Sequence, residues 1–279
     1  MNLEREEIIM QNNYKIENIT PDVYRIEEFG LGTIYFVKGK ERSILIDTGT
    51  GVADLKSVID LLTETPYDVL LTHGHYDHAG GIGQFNAVYL NQKDLYMVKN
   101  ISVEERIEYA RSILNTYPEL KGQFDIDYIK PWREEPSFNF IKDGDIIELG
   151  DKTLKIFETP GHTEGSVCIL DEADHVLFSG DNLQPILLLT EDGDDRNEVI
   201  INWYRSVERI VPYFSDFDHL CGGHEKIDKS IIYELMECGK GIVEGELKPE
   251  PTQIHIFKGM FVNYKNIHIT YQTMNDLIG

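Results

Sequence analysis

Apolar positions along this chain change rhythm several times, and each change marks an element. Residues 22–37 (DVYRIEEFGLGTIYFV) hold two strand-like runs around a turn at Gly30-Leu31-Gly32. Residues 43–46 form a short apolar strand that stops at Asp47-Thr48-Gly49. Val52, Leu55, Ile59 and Leu62 then recur at helical spacing. Residues 68–71 predict another apolar strand, and 86–90 a further one.

Segment 92–145 breaks the pattern. Val103, Ile107, Ala110 and Leu114 mark an amphipathic helix, but the rest is rich in charge, proline and aromatic residues (DYIKPWREEPSF). It reads as a helical insertion or lid within a single domain spanning 1–279. From 146 the strand rhythm returns, at 146–148, 153–158, 166–170 and 175–179. Trp203, Val207, Ile210 and Phe214 share one helical face, and a strand at 217–221 runs into Gly222-Gly223-His224. Residues 229–238 predict a helix ending near Gly239 and Gly241, and the tail 252–272 alternates like a hairpin.

The candidate chemistry sits where these strands end. In THGHYDHAGG, residues 72–81, His73, His75, Asp77 and His78 fall within six positions directly after an apolar strand. Packing three imidazoles and a carboxylate there without partners would be costly, and metal ligation removes that cost. Imidazole with carboxylate suits Zn, Fe or Mn. Gly74, Gly80 and Gly81 are expected to permit close backbone approach and unusual φ values. Three further strand tips each carry one ligand-type residue: His162 in TPGHT, Asp181 in FSGD and His224 in CGGH. Together they argue against an isolated structural metal.

This set resembles the metallo-β-lactamase superfamily, and within it the glyoxalase II-like hydrolases. The matching elements are Asp47, the His73-X-His75-X-Asp77-His78 loop, His162 in PGHTEGS, Asp181 in SGDNL and His224 in GGHE, spanning about residues 20 to 226. The resemblance implies an α+β fold, a four-layer αββα sandwich of two similar halves. It implies two divalent metal ions, most simply Zn, with Fe or Mn as alternatives. His73, His75 and His162 would hold the first ion, Asp77, His78 and His224 the second, and Asp181 would bridge them. Asp47 would support the loop from behind. Asp77 and Asp181 are the catalytic candidates, Asp77 chiefly as a ligand. A water shared between the ions would become a hydroxide nucleophile for an ester, thioester or lactone. An iron-dependent sulfur dioxygenase on the same fold is the alternative.

Departures from the pattern narrow the choice. The tail after His224 offers no basic pattern, among Lys226, Lys229 and Lys240, for gripping glutathione. Asp77-His78 stands where the best-known β-lactamases use a cysteine. Flavo-diiron proteins resemble His-X-Glu-X-Asp in this loop, and His75 occupies the Glu place. Tyr76 either faces the pocket or packs beneath its loop. Residues 182–190 (NLQPILLLT) are expected to line the cleft. Trp203 is expected in the core, and Cys221 in packing. His175, His219, His255 and His268 have no ligand-like surroundings, and the acidic run 191–195 reads as a solvated loop.

Charge sharpens the partner class. Lys and Arg total 26 against 49 Asp and Glu, a net charge of −23. That balance disfavours a nucleic-acid partner and a nuclease activity, because phosphate backbones are bound through Lys and Arg. A small-molecule substrate is expected. The first residues, MNLEREEIIMQNN, do not read as a signal peptide, and no stretch approaches the ~20 apolar residues of a membrane span. Cys168, Cys221 and Cys238 are odd in number and widely spaced, which suits a reducing, cytoplasmic setting. Segment 92–145 is open to three roles: a lid over the site, a homodimer contact, or an ordinary surface excursion between the two halves.

Overall fold

The computed structural model describes residues 14–190, 196–254 and 257–271. The first thirteen residues, the acidic run 191–195 and His255 lie outside the described residues.

The first sheet has seven strands in sequential order: β1 (Lys15–Asn18), β2 (Val23–Glu27), β3 (Thr33–Val37), β4 (Ser43–Ile46), β5 (Tyr67–Leu70), β6 (Ala87–Asn91) and β7 (Ser137–Ile141). β1 to β4 pair antiparallel, and β4 to β7 pair parallel. Parallel neighbours require crossovers. Helix α1 (Leu55–Leu62), capped by Asp54 through Ser57 N, supplies the first. The one-turn helix α2 (Tyr76–Ala79) begins the second. The third holds α3 (Leu95–Lys99) and α4 (Val103–Thr116), the latter closed by a Ser102–Glu105 capping box. Segment 92–145 is therefore helical only in part, because residues 137–141 form the edge strand β7.

The second sheet contains β8 (Ile146–Glu148), β9 (Thr153–Glu158), β10 (Val167–Asp171), β11 (Val176–Gly180), β13 (His219–Gly222) and β14 (Lys226–Ile227), in the order β14-β13-β11-β10-β9-β8. Strand alternation shows how the two sheets meet. On β10, Val167 and Ile169 point into a cluster shared with Tyr35, Val37, Ile44 and Ile46 of the first sheet. Cys168 and Leu170 point the other way, toward α5 (Arg196–Ile210) and α6 (Ile231–Val243). On the first sheet, Ile34, Phe36 and Leu45 face α1 and α4. Three apolar layers thus separate helix, sheet, sheet and helix, which is the αββα sandwich.

Two expectations need correcting. Residues 252–272 are more than a hairpin. β15 (Glu250–Ile254), β16 (Phe257–Tyr264) and β17 (Ile267–Tyr271) form a meander, and β12 (Ile186–Leu189) adds parallel to β17 to make a four-stranded sheet. The run after Asp181 is therefore a strand, with Leu187 and Leu189 buried and Ile186 69% exposed. Helix α6 also runs through Gly239 and Gly241 instead of ending near them. A Cβ at Gly239 would lie 2.7 Å from the Tyr204 ring, so this glycine lets α6 approach α5 closely. Among the described residues, no helix is long and apolar enough to cross a membrane.

Candidate metal centre

Each strand that ends at the same rim of the sandwich delivers part of the centre. β5 leads to His73, His75, Asp77 and His78; β9 leads to His162; β11 ends one residue before Asp181; β13 ends two before His224. The structure brings all seven side chains together in three overlapping groups: His73, His75 and His162; His73, His78 and Asp181; Asp77, His78 and His224. Within each group one ligand atom per residue lies within 4.8 Å of the others. Gly80 and Gly81 keep ordinary negative φ values of −62° and −87°. Their use is close approach, since a Cβ at Gly80 would lie 2.5 Å from the Thr50 carbonyl oxygen.

Hydrogen bonds behind the cluster aim the rings. His162 Nδ1 donates to the Leu188 carbonyl oxygen at 2.5 Å, which leaves Nε2 as a free lone pair. His78 Nδ1 donates to Asp47 Oδ2 at 2.9 Å, again freeing Nε2. Asp47 also accepts from Thr72 N at 2.7 Å and from Thr72 Oγ1 at 2.8 Å. That hydroxyl, its proton committed to Asp47, accepts from His73 Nδ1 at 3.0 Å. One buried carboxylate thus sets two imidazoles.

The donor set fits cations. His162 Nε2 lies 2.8 Å from His75 Nδ1 and 3.2 Å from His73 Nε2, so three nitrogens converge on one point. His78 Nε2 and Asp181 Oδ1 are buried without a hydrogen-bond partner and lie 3.4 Å apart. Asp181 also reaches His224 Nε2 at 3.1 Å and His162 Nε2 at 3.7 Å, touching both sides of the cluster. Asp77 Oδ2 lies 3.6 Å from His224 Nε2. Burial, reinforced by neighbouring rings, holds His73 well below the ordinary imidazole range. Burial likewise brings His75 and His162 down to about 4, so these rings stay neutral near pH 7 and present lone pairs. His78 and His224 differ: burial pushes them down, but Asp181 and Asp77 outweigh it and the net direction is up.

Asp94 is not among the residues the sequence singles out, and Asn182 stands there only as the first residue of the cleft lining. Asp94, 1% exposed, accepts from Gly74 N at 2.8 Å, Thr163 Oγ1 at 2.7 Å and Gly165 N at 2.7 Å. It ties the loop of His73 and His75 to the loop of His162. The available signal was its place just past β6, at the same rim as the other acidic residues. Asn182 Oδ1 accepts from His162 N at 3.0 Å, and its carbonyl accepts from Trp203 Nε1 at 3.1 Å. Trp203 is fully buried, as are Cys168, Cys221 and Cys238, all three unpaired. Tyr76 lines the cavity beside the cluster and packs on Tyr109 at 5.3 Å between centroids. That cavity holds about 380 Å³, and Gln184, Ile186, Leu187, Leu188, Thr190 and Thr270 also line it. His175, His219 and His268 belong to none of the three groups.

Known proteins resemble this chain in sequence and fold. Residues 28–213 match the family model of the metallo-beta-lactamase superfamily. The human acyl-coenzyme A thioesterase MBLAC2 is 27% identical over 219 residues, covering 73% of this chain and 71% of that protein. An atrochrysone carboxyl ACP thioesterase from Pseudocercospora fijiensis is 30% identical over 182 residues, covering 60% of this chain and 44% of that protein. Among solved structures, a metallo-beta-lactamase family protein from Thermus thermophilus superposes with a TM-score of 0.55 at 20% identity, covering 84% of this chain and 85% of the other. The sec-alkylsulfatase Pisa1 from Pseudomonas sp. gives 0.60 at 14% identity, covering 82% and 42%. These relatives mark the chain as an enzyme of the hydrolase type. A family model that spans most of the chain, laid over a sandwich whose strand tips gather these histidines and aspartates, makes the chain a member of the metallo-β-lactamase superfamily.

Proposed function

We propose that this chain is a dinuclear metal-dependent hydrolase of acyl thioesters, with esters and lactones as chemically neighbouring substrates. The observation that carries the reading is the convergence of seven donor side chains at the mouth of an apolar-walled cavity. The thioesterase names of two relatives favour the thioester over the other acyl compounds. His73, His75 and His162 would hold one ion, Asp77, His78 and His224 the other, and Asp181 would serve both. Imidazole and carboxylate donors in this mixture suit Zn. When bound, such a pair of ions supplies Lewis acidity and brings a water's pKa toward neutrality, so that hydroxide is available near pH 7.

The chain's own residues do the remainder. Asp47 and the Leu188 carbonyl fix the tautomers of His78 and His162, so their Nε2 atoms need no reorganisation. Ile186, Leu187 and Leu188 give an acyl chain an apolar surface in the cavity that His162 also lines. Tyr76 and Asp77 line the same cavity; Asp77, a ligand first, would in a secondary role take up the proton released by the attacking water and hand it to the departing thiolate.

The test is element analysis of the purified chain beside a panel of acyl-coenzyme A, ester and lactone substrates. The expected result is about two Zn per chain, about one in His78→Ala, and thioester turnover that falls with the metal. A single iron unaffected by His78→Ala, with oxygen uptake in place of hydrolysis, would overturn the reading.

A further inference from the structure

A second cavity, of about 490 Å³, lies behind the metal loop and is lined by Gly51, Asp54, Lys56, Gly80, Gly81 and residues of the 128–133 segment. Its charge runs against the rest of the molecule. The chain carries −23 overall, yet Lys56, Arg106, Lys130 and Arg133 line this cavity against the lone carboxylate of Asp54. Asp54 is already engaged, accepting from Ser57 N at 3.0 Å and Ser57 Oγ at 2.6 Å. Lys56 is paired with Asp60, but among the described residues no carboxylate pairs with Arg106, Lys130 or Arg133.

Arg106 is the informative member. It is 3% exposed, and its guanidinium is spent on carbonyl oxygens: Gly80 at 2.9 Å, Thr50 at 3.4 Å and Lys130 at 2.5 Å. Its Nε is buried without a hydrogen-bond partner. Glu28, the acidic group acting on it, is itself held by the N–H groups of Thr50, Gly51 and Val52. A buried guanidinium with no ion pair is costly, and an anion in the cavity would relieve that cost. Trp132 adds a second feature. Its Nε1 donates to the Gly80 carbonyl oxygen at 3.0 Å, and its ring lies against Gly83, leaving a half-buried indole plate beside the cations. Cations beside an aromatic plate recognise phosphates joined to a stacking base.

We propose that this cavity binds a phosphate-bearing, nucleotide-like ligand through Lys130 and Arg133, with the buried Arg106 adding positive charge from behind and Trp132 as the stacking surface. Two sources share that chemistry: the phosphorylated adenosine end of an acyl-coenzyme A substrate, and a free nucleotide. The first deepens the thioesterase reading and rests on it. Residues 76–81 border both cavities, with Tyr76 and Asp77 lining one and Gly80 and Gly81 the other.

The experiment titrates adenosine 3′,5′-bisphosphate, pyrophosphate and inorganic phosphate into the full chain by calorimetry, with Trp fluorescence alongside. The double variant Lys130→Glu/Arg133→Glu is the control, since both side chains are exposed and an unchanged Tm certifies its fold. The bisphosphate is expected to bind in a salt-sensitive way, to perturb Trp132, and to weaken at least about tenfold in the variant. No heat from the bisphosphate, or equal binding by the variant, would overturn the proposal. Kinetics then separate the sources. If the ratio of KM for acyl-coenzyme A to KM for the matching acyl-N-acetylcysteamine thioester rises about tenfold in the variant, the ligand is the substrate's own nucleotide end. If the ratio holds while bisphosphate binding is lost, the ligand is a free nucleotide. A chain that hydrolyses neither thioester would count against the activity reading, and calorimetry would still decide the cavity.

Discussion

Changing Asp94 to Asn alters one heavy atom at the joint between the two ligand loops. Oδ2 accepts from Gly74 N and Thr163 Oγ1, and Oδ1 accepts from Gly165 N. With the amide oxygen in the Oδ2 place, the amide nitrogen faces the Gly165 N–H, and one buried donor loses its acceptor. That costs about 1–3 kcal/mol, and the two surviving bonds weaken because they are no longer charge-assisted. Against this, burial already holds the Asp94 carboxyl above its ordinary range, so its ionised form bears a desolvation penalty that Asn avoids. The balance is a loss of about 2 kcal/mol, or a Tm lower by roughly 3–4 °C for a chain of 279 residues. Function should suffer more than the fold. His75 and His162 depend on the register between their loops, and loss of a supporting contact of this kind lowers metal affinity by about 10–100-fold. Thermal melts of metal-free and Zn-loaded protein, with chelator competition for affinity, read both quantities. A D94N protein with wild-type Tm and wild-type Zn affinity would refute the assignment of Asp94 as the tie between the loops.

Other outcomes follow from the same geometry. Gly223→Ala places a methyl group against Asp181 Oδ1 and His78 Cε1, so Zn stoichiometry should drop and the metal-free protein should lose about 1–3 kcal/mol to overpacking; full occupancy by element analysis would contradict the packing. Glu28 is fully buried, and burial lifts its carboxyl to about 7 although Thr50, Gly51 and Val52 donate to it. Its folded pKa lies above the unfolded value, so its stabilising contribution is complete below about pH 4.5 and is lost as pH rises through about 7. Urea melts of metal-free protein from pH 5 to 8 should therefore show the wild type losing stability relative to Glu28→Gln, by at most about 3 kcal/mol, and parallel curves would contradict it. Ile186→Glu puts a charge on the apolar cavity wall at an exposed position, so KM for long acyl thioesters should rise while the Tm holds; chain-length profiles that overlay the wild type would remove Ile186 from the acyl surface.

Local pattern was enough for much of this molecule. Short apolar runs marked β2 to β6 and β8 to β11 to within a residue or two, most plainly at β3, β4, β10 and β11, because a strand buried on both faces reads as a continuous apolar stretch. The centre was legible for a related reason: all seven donors follow strand tips, and the tips of parallel neighbours lie at one rim. Tertiary structure decided the rest. Nothing local marks residues 186–189 as a strand, since their partner Ile267–Tyr271 lies some eighty residues later and pairs in parallel. Gly239 looked like a helix end, and only the nearness of Tyr204 turns it into a contact between helices. Asp94 shows its role only when Gly74 and Gly165 arrive on either side of it. The cationic cavity, too, is assembled from residues near 54, 80, 106 and 130. Periodicity records which face of an element is buried, whereas a hydrogen bond or a charge cluster between distant segments leaves no local trace until the chain closes.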